Sequence, residues 1–296
     1  MNEVFDKLLI RVLFTVFICL ALIGYKYAHM LFHPSQKKSI NNKIFPHDNY
    51  IFTIHFFSRL IGIGLIFSAF EFKEYLGVFI SSFHFFLWSA LGIFIYLLSI
   101  FTIESIIFYN FEYKDEVLKK NNLSYGLISA TNTITLAFVI RCIFKESENS
   151  IIILTILWLT SMVLIGFGIK LFKFISDFSF NSYMIQKSTS IGISFSGFLI
   201  GNTIIITTTL TNEHYQITSY LIQIILKCLL SVLILPLFRF GLLSIFKINS
   251  SKTLGQASEQ EKIGHSCYEC SIYITSSLLA SIVIGQIHFG TIYPFF

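Results

Sequence analysis

Charge is scarce in this chain. Only 12% of its 296 residues are Asp, Glu, Lys or Arg, against roughly 25% in an average soluble domain. Together with 54% hydrophobic residues, that shortage excludes a soluble enzyme. Tryptophan is nearly missing, with 2 copies beside 34 Phe, so a lipid-facing surface has to be built from Phe, Ile and Leu. The net charge is only +5, and there is no basic tract of the kind that binds nucleic acid. No disulfide framework is readable either. Cys19, Cys142, Cys228, Cys267 and Cys270 fall mostly within apolar runs, unlike the cysteines of small secreted domains. The opening MNEVFDK mixes acid and base, and no small-residue cleavage site follows the apolar run 8–24. The first hydrophobic segment therefore reads as a retained span rather than a removed signal.

What is present in quantity is apolar length. A helix needs about 20 mostly apolar residues to cross roughly 30 Å of hydrocarbon. Eight stretches qualify: 8–29, 50–70, 76–100, 123–144, 151–172, 189–210, 219–240 and 270–288, and the third can run on as a helix to Tyr109, since nothing breaks it before Asn110. The fold class expected is an all-α polytopic membrane protein with eight transmembrane helices. The connections after the odd spans are long and carry Lys37, Lys38 and Lys43, then Lys114, Lys119 and Lys120, then Lys173 and Lys187, then Lys247, Lys252 and Lys262. Those after the second and fourth carry Lys73 and Lys145, and that after the sixth has none. By the positive-inside rule the long connections are cytoplasmic and both termini lie outside; Lys7 and Arg11 count the other way.

The stretch 119–140, KKNNLSYGLISATNTITLAFVI, has the length of a span but carries Asn122, Ser124, Ser129, Thr131, Asn132, Thr133 and Thr135, with Gly126 and Ala130 four residues apart. In hydrocarbon a hydroxyl or amide needs a partner, and small residues let helices touch. Such a helix belongs inside a bundle. Laying Asn122 over Asn49, Ser188 and Cys267 brings Gly126 over Thr53, Gly192 and Ser271, and Thr131 over Ser58, Gly197 and Ser276. The same alignment places Thr135 over Gly62, Gly201 and Ala280. The even spans share this face and the odd ones lack it, so the unit is a hairpin of one greasy and one small-polar helix, used four times.

A charged segment, an Asn-containing start and a Ser/Gly/Ala/Thr-rich span, as in DEVLKKNNLSYGLISATNTITLAFVI, resembles the family called domain of unknown function 350 (DUF350), also known as the UPF0719 bacterial inner-membrane proteins. The resemblance is best over the fourth span, looser over the sixth and weak over the second and eighth, where His55 and Arg59 or Cys267 and Cys270 replace small residues. It implies two four-helix units in tandem, 1–144 and 145–296, a bacterial cytoplasmic (inner) membrane and no recognised cofactor. It supplies no catalytic residues.

Arg59 and Lys227 fall near the middle of the second and seventh spans, where a charge costs at least about 2.5–3.5 kcal/mol. No Asp or Glu is expected at that depth, since Glu71 and Glu104 fall near opposite membrane faces. Two uncompensated cations suggest a wet cavity admitting an anion, with Arg59 offering its planar fork. The plainer reading is that both stems reach an interface or rest on backbone carbonyls. His55 shares a helix face with Arg59, and facing His84 it could relay protons or hold a metal or haem; satisfied interior histidines are the plainer reading. HSCYEC, from His265 to Cys270, lacks the four ligands of a structural zinc site and reads as reduced thiols on a polar loop. Asn132 and Asn202, with Ser129, Thr135, Ser194, Ser196, Thr275, Ser276, Ser281 and Gln286, form faces that serve either as a polar path or as interhelical glue. No Gly/Pro-broken helix pair marks a transport site, Pro236 being the only proline within a span.

The function expected first is a transporter-like or channel-like route for a small polar or anionic solute, with Arg59, Lys227, Asn132 and Asn202 along it. The alternative is a non-transporting scaffold whose hairpins self-associate, as a homo-oligomer, or hold a partner. A redox enzyme using His55 and His84 ranks third, so no enzymatic activity is expected. A route requires the polar faces to converge on a wet cavity reaching Arg59 or Lys227, whereas a dry, close-packed arrangement favours a scaffold. Membrane lipids are the one partner the composition demands.

Overall fold

The computed structural model describes residues 2–32, 49–70, 77–148, 150–175, 180–211, 217–246, 259–287 and 289. Lys37, Lys38, Lys43, Glu71, Lys73, Lys247, Lys252 and His288 lie outside them. Among the described residues every element is helical. Eight helices among these residues are long and apolar enough to cross a membrane. They are Asn2–Phe32, Tyr50–Phe67, Val78–Ile107, Leu123–Glu146, Ile151–Ile175, Thr189–Leu210, Ile217–Ile245 and Glu259–Gln286, here the first to eighth spans. A π-helical turn, Lys114–Lys119, precedes the fourth span and a short helix, Phe180–Ile185, precedes the sixth.

The even spans stand in a row. The second packs on the fourth, the fourth on the sixth and the sixth on the eighth, with the odd spans laid against this row. Burial is highest along the first three members of the row. In their most apolar stretches the second, fourth and sixth spans are 56%, 72% and 50% buried and the first 11%, whereas the eighth, which ends the row, is 28% buried, less than the third at 39% and the fifth at 33%. Small residues set the spacing. A Cβ on Gly126 would meet Ile51 Cγ2 at 2.8 Å, and one on Gly192 would meet Ser124 Cα at 2.9 Å. Both contacts join the residue two places after one copy's Asn to the residue four places into the next copy, so the second–fourth and fourth–sixth interfaces repeat one register. Close packing of this kind supplies the van der Waals contact that lipid cannot outcompete.

Asn49 and Asn122 open their spans as N-caps, accepting from the amides of Phe52 at 2.9 Å and Tyr125 at 3.4 Å, which satisfies donors that hydrocarbon could not. Ser188 occupies the same position without a side-chain cap. The fourth copy departs. The eighth helix starts at Glu259, so Cys267 lies well inside it and the alignment on Cys267 does not mark a helix start. HSCYEC is helical rather than a polar loop. The run Glu-Gln-Glu-Lys ahead of it is polar but composed of good helix formers, and the helix extends through it.

Candidate functional site

Three places in the bundle hold polar groups at membrane depth, and the first corrects an expectation. Arg59 is not an uncompensated cation. Its Nη2 donates to Glu104 Oε2 at 3.1 Å, and Ser129 Oγ donates to Glu104 Oε1 at 2.5 Å. Residue counting puts Glu104 at a membrane face. The third span does run on to Ile107, within the extension its sequence allows, but Glu104 pairs inward from its last turns and the long Arg59 side chain covers the remaining depth. The hydroxyls of Tyr25, Tyr96 and Tyr113 lie within electrostatic reach of the guanidinium. Tyr96 donates to the Thr133 carbonyl at 3.2 Å. It fits there because residue 62 is glycine, whose added Cβ would overlap the phenol.

His55 and His84 do not face each other. The second and third spans run antiparallel, so their early residues lie at opposite ends. His55 is fully buried, with its ring 4.6 Å from Tyr113 and 6.2 Å from His29. His84 sits beside Trp88, ring centres 5.9 Å apart. His29, whose ring lies 5.1 Å from that of Phe56, is the residue that sequence reasoning missed; as the final polar residue of a greasy first span it gave no signal. Among the described residues no group of three or more His, Cys, Asp or Glu is placed to hold a metal ion. Cys267 and Cys270 are both free.

The second place is the row itself. Thr133 Oγ1 lies 3.1 Å from Ser58 Oγ, Thr131 Oγ1 donates to Ser196 Oγ at 3.0 Å, and Ser194 Oγ donates to Glu269 Oε2 at 2.6 Å. Ser124 Oγ donates to the Ser188 carbonyl. Each bond joins neighbouring even spans. Ser276 and Ser281 bond back to their own helix, and Asn132 is buried within the row. At the end carrying the lysine-rich connections, Asn122 Nδ2 donates to Glu116 Oε2 at 2.8 Å and to the Met184 carbonyl at 3.0 Å. Lys187 Nζ donates to the Lys120 carbonyl at 2.7 Å. These tie the start of the fourth span to the segment before the sixth.

The third is a cavity of about 320 Å³ among the fifth to eighth spans, lined mostly by apolar side chains, with Asn202 and Arg239 among its polar ones. Asn202 packs on Gly168, where an added Cβ would meet its amide at 2.9 Å. Lys227 is fully buried on the inner face of the seventh span, which it shares with Tyr220, Ile224 and Ser231. It is not among the lining residues. The four residues expected along one path therefore occupy four settings: Arg59 in an ion pair, Asn132 within the row, Asn202 at the cavity and Lys227 on the seventh span.

The repeat seen in this geometry has a counterpart in known proteins. The model of a family described as Domain of Unknown Function (DUF350) matches residues 4–144 and again 147–284, one four-span unit each. No curated protein and no solved structure matches the chain. Two matches covering nearly the whole length, on helices that repeat their packing register, identify the chain as a member of the DUF350 family with two copies in tandem.

Proposed function

We propose that this integral membrane protein is a non-conducting scaffold of the bacterial cytoplasmic membrane, with both termini outside, that holds copies of itself or another membrane protein through its row of even spans. The observation that carries this reading is that the hydroxyls a polar path would need are committed to neighbouring helices: Thr131 to Ser196, Ser194 to Glu269, Ser129 to Glu104. A permeating solute would have to break these bonds, and the one mid-membrane arginine that could draw an anion inward is neutralised by Glu104. The lysine-bearing connections support the orientation.

The row also has an open end. The second, fourth and sixth spans each pack another even helix on the side towards the eighth, whereas Cys267, Ser271 and Thr275 of the eighth lie exposed. Small and hydroxyl residues turned to lipid gain by meeting a second helix, so a second copy is the partner this end suits. A route for a small anionic solute remains the second reading, favoured by Asn202 on the cavity wall.

The test is reconstitution into liposomes with a panel of small anions and polar solutes, paired with subunit counting by photobleaching. The scaffold reading expects flux no greater than in empty liposomes and a dimer that Ser271→Phe with Thr275→Phe converts to monomer. Flux above that background, lowered by Asn202→Leu, would replace it with the second reading.

A further inference from the structure

The two units are not equivalent in their lipid-facing halves. In the first, Phe14 of the first span meets Phe85 of the third with ring centres 4.6 Å apart, and Phe17 meets Phe85 and Phe86 at 6.3 and 5.7 Å. Aromatic rings pack between those spans at this level. In the second unit the corresponding fifth and seventh spans both line the 320 Å³ cavity. Its wall includes Leu164, Phe167, Leu171, Ile205, Leu229 and Val232. Phe167 is 57% exposed, Leu229 58% and Val232 43%, so the mouth opens sideways from the bundle, where acyl chains lie. Along the seventh span the lining runs from Ile225 to Arg239, about 21 Å of helix at 1.5 Å per residue. The space is long and narrow.

One end of this slot is charged. The Arg239 guanidinium lies 4.6 Å from the Tyr273 ring centre, which holds its plane in place. Among the described residues Arg239 has no ion pair. Glu269, one turn before Tyr273, is already engaged by Ser194 at 2.6 Å and by His265 at 3.6 Å. Arg239 lies about 9 Å of helix before Ile245, close enough to the lysine-rich face to meet a headgroup. Pro236, also on the wall, has no amide to donate back to the Val232 carbonyl, which loosens the helix beside the charge.

We infer that the second unit binds one anionic phospholipid from the surrounding bilayer, with an acyl chain in the slot between the fifth and seventh spans and the phosphate on Arg239. The volume lies at the lower end of the roughly 300–1,000 Å³ of ligand pockets, which suits one chain rather than a whole lipid. A lateral mouth selects a molecule already dissolved in the membrane over one arriving from water. The fixed positive charge selects among membrane lipids. This inference does not depend on the scaffold reading, since a scaffold and a transporter could each hold such a lipid.

A fluorescence experiment tests it. With Trp88 and Trp158 changed to Phe, Leu235→Trp places the only tryptophan on the cavity wall. The full chain is reconstituted in phosphatidylcholine bilayers containing small fractions of phosphatidylglycerol or phosphatidylcholine with brominated acyl chains, or of brominated stearate. Brominated phosphatidylglycerol is expected to quench at about one fifth of the concentration needed for the brominated choline lipid, the ratio that one favourable surface charge gives. Arg239→Gln should abolish the preference, and Arg239→Lys should keep part of it. Equal quenching by the two phospholipids, or stronger quenching by stearate than by phosphatidylglycerol, would overturn the assignment. Should Arg239→Gln fail to purify as a monodisperse helical protein, the comparison of the three lipids on the parent variant decides alone.

Discussion

Arg59 and Glu104, 45 residues apart on the second and third spans, form an ion pair of 3.1 Å with 9% and 16% of their side chains exposed. Ser129 of the fourth span completes the carboxylate's coordination. Three helices of the first unit are therefore locked by one group. A buried pair broken on one side leaves an uncompensated charge. Arg59→Gln or Glu104→Gln should each lower stability by about 3–5 kcal/mol, read as the midpoint of unfolding in mixed micelles. The double variant Arg59→Gln with Glu104→Gln should recover a large part of that loss. A double variant as unstable as the sum of the two would show that the residues act separately.

Asn122 caps the fourth span while bonding Glu116 and the Met184 carbonyl. Replacing it by Ala removes the cap, about 1 kcal/mol, and leaves Glu116 with only Lys120. Amide exchange should rise at both the π-helical turn Lys114–Lys119 and the helix Phe180–Ile185. A rise confined to the turn would mean that the link to Met184 contributes nothing.

The described glycines differ in what surrounds them. A Cβ on Gly197 would stand 2.5 Å from the Cys270 Cα, which is backbone and cannot swing away, whereas one on Gly64 meets nothing within 4 Å. Gly197→Ala should therefore push the sixth and eighth spans apart and cost about 1–3 kcal/mol. Gly64→Ala should be neutral or slightly stabilising through helix propensity. Equal midpoints for the two variants would contradict the close approach of these spans.

At the exposed π-helical turn, the hydrogen bond from Lys119 lowers the Asp115 carboxyl below its ordinary value, and the bond to Glu116 raises the Lys120 ammonium above its own. A lowered carboxyl stabilises above its unfolded value and loses that contribution as pH falls through the folded one. The raised ammonium stabilises below its unfolded value and loses that contribution as pH rises through the folded one. Exchange at Lys114–Lys119, corrected for intrinsic chemistry, should be flat from about pH 5 to 9 and increase on either side. A step near neutral pH would point to a different group.

The interior place of the second, fourth and sixth spans was readable in the sequence because its cause is local; the eighth, 28% buried, ends the row instead of lying at the centre. Hydroxyls and glycines cannot face lipid without cost, so Gly126, Gly192 and Ser129 declare an interior face by type alone. The pairing of Arg59 with Glu104 was not readable, because residue counting measures backbone depth. The long arginine side chain and the inward turn of Glu104 from the last turns of the third helix, which ends at Ile107, close the distance. His55 and His84 were matched by residue type without regard to antiparallel order, which places them at opposite ends. The cavity left no signal at all, since it arises from how the fifth to eighth spans pack against one another, which residue type does not encode.

The most direct measurement of the central claim is labelling by a water-soluble, membrane-impermeant thiol reagent of single cysteines placed at Ser129, Thr131 and Ser196. It is done in a chain whose five native cysteines are changed to Ala or Ser, in sealed vesicles of both orientations. If Thr131 and Ser196 are spent on each other and Ser129 on Glu104 in a dry interior, none of the three is modified from either side while Tyr109→Cys, at an 85% exposed position, is. Modification at Thr131 and Ser196 from either side would reveal water between the fourth and sixth spans and contradict the account.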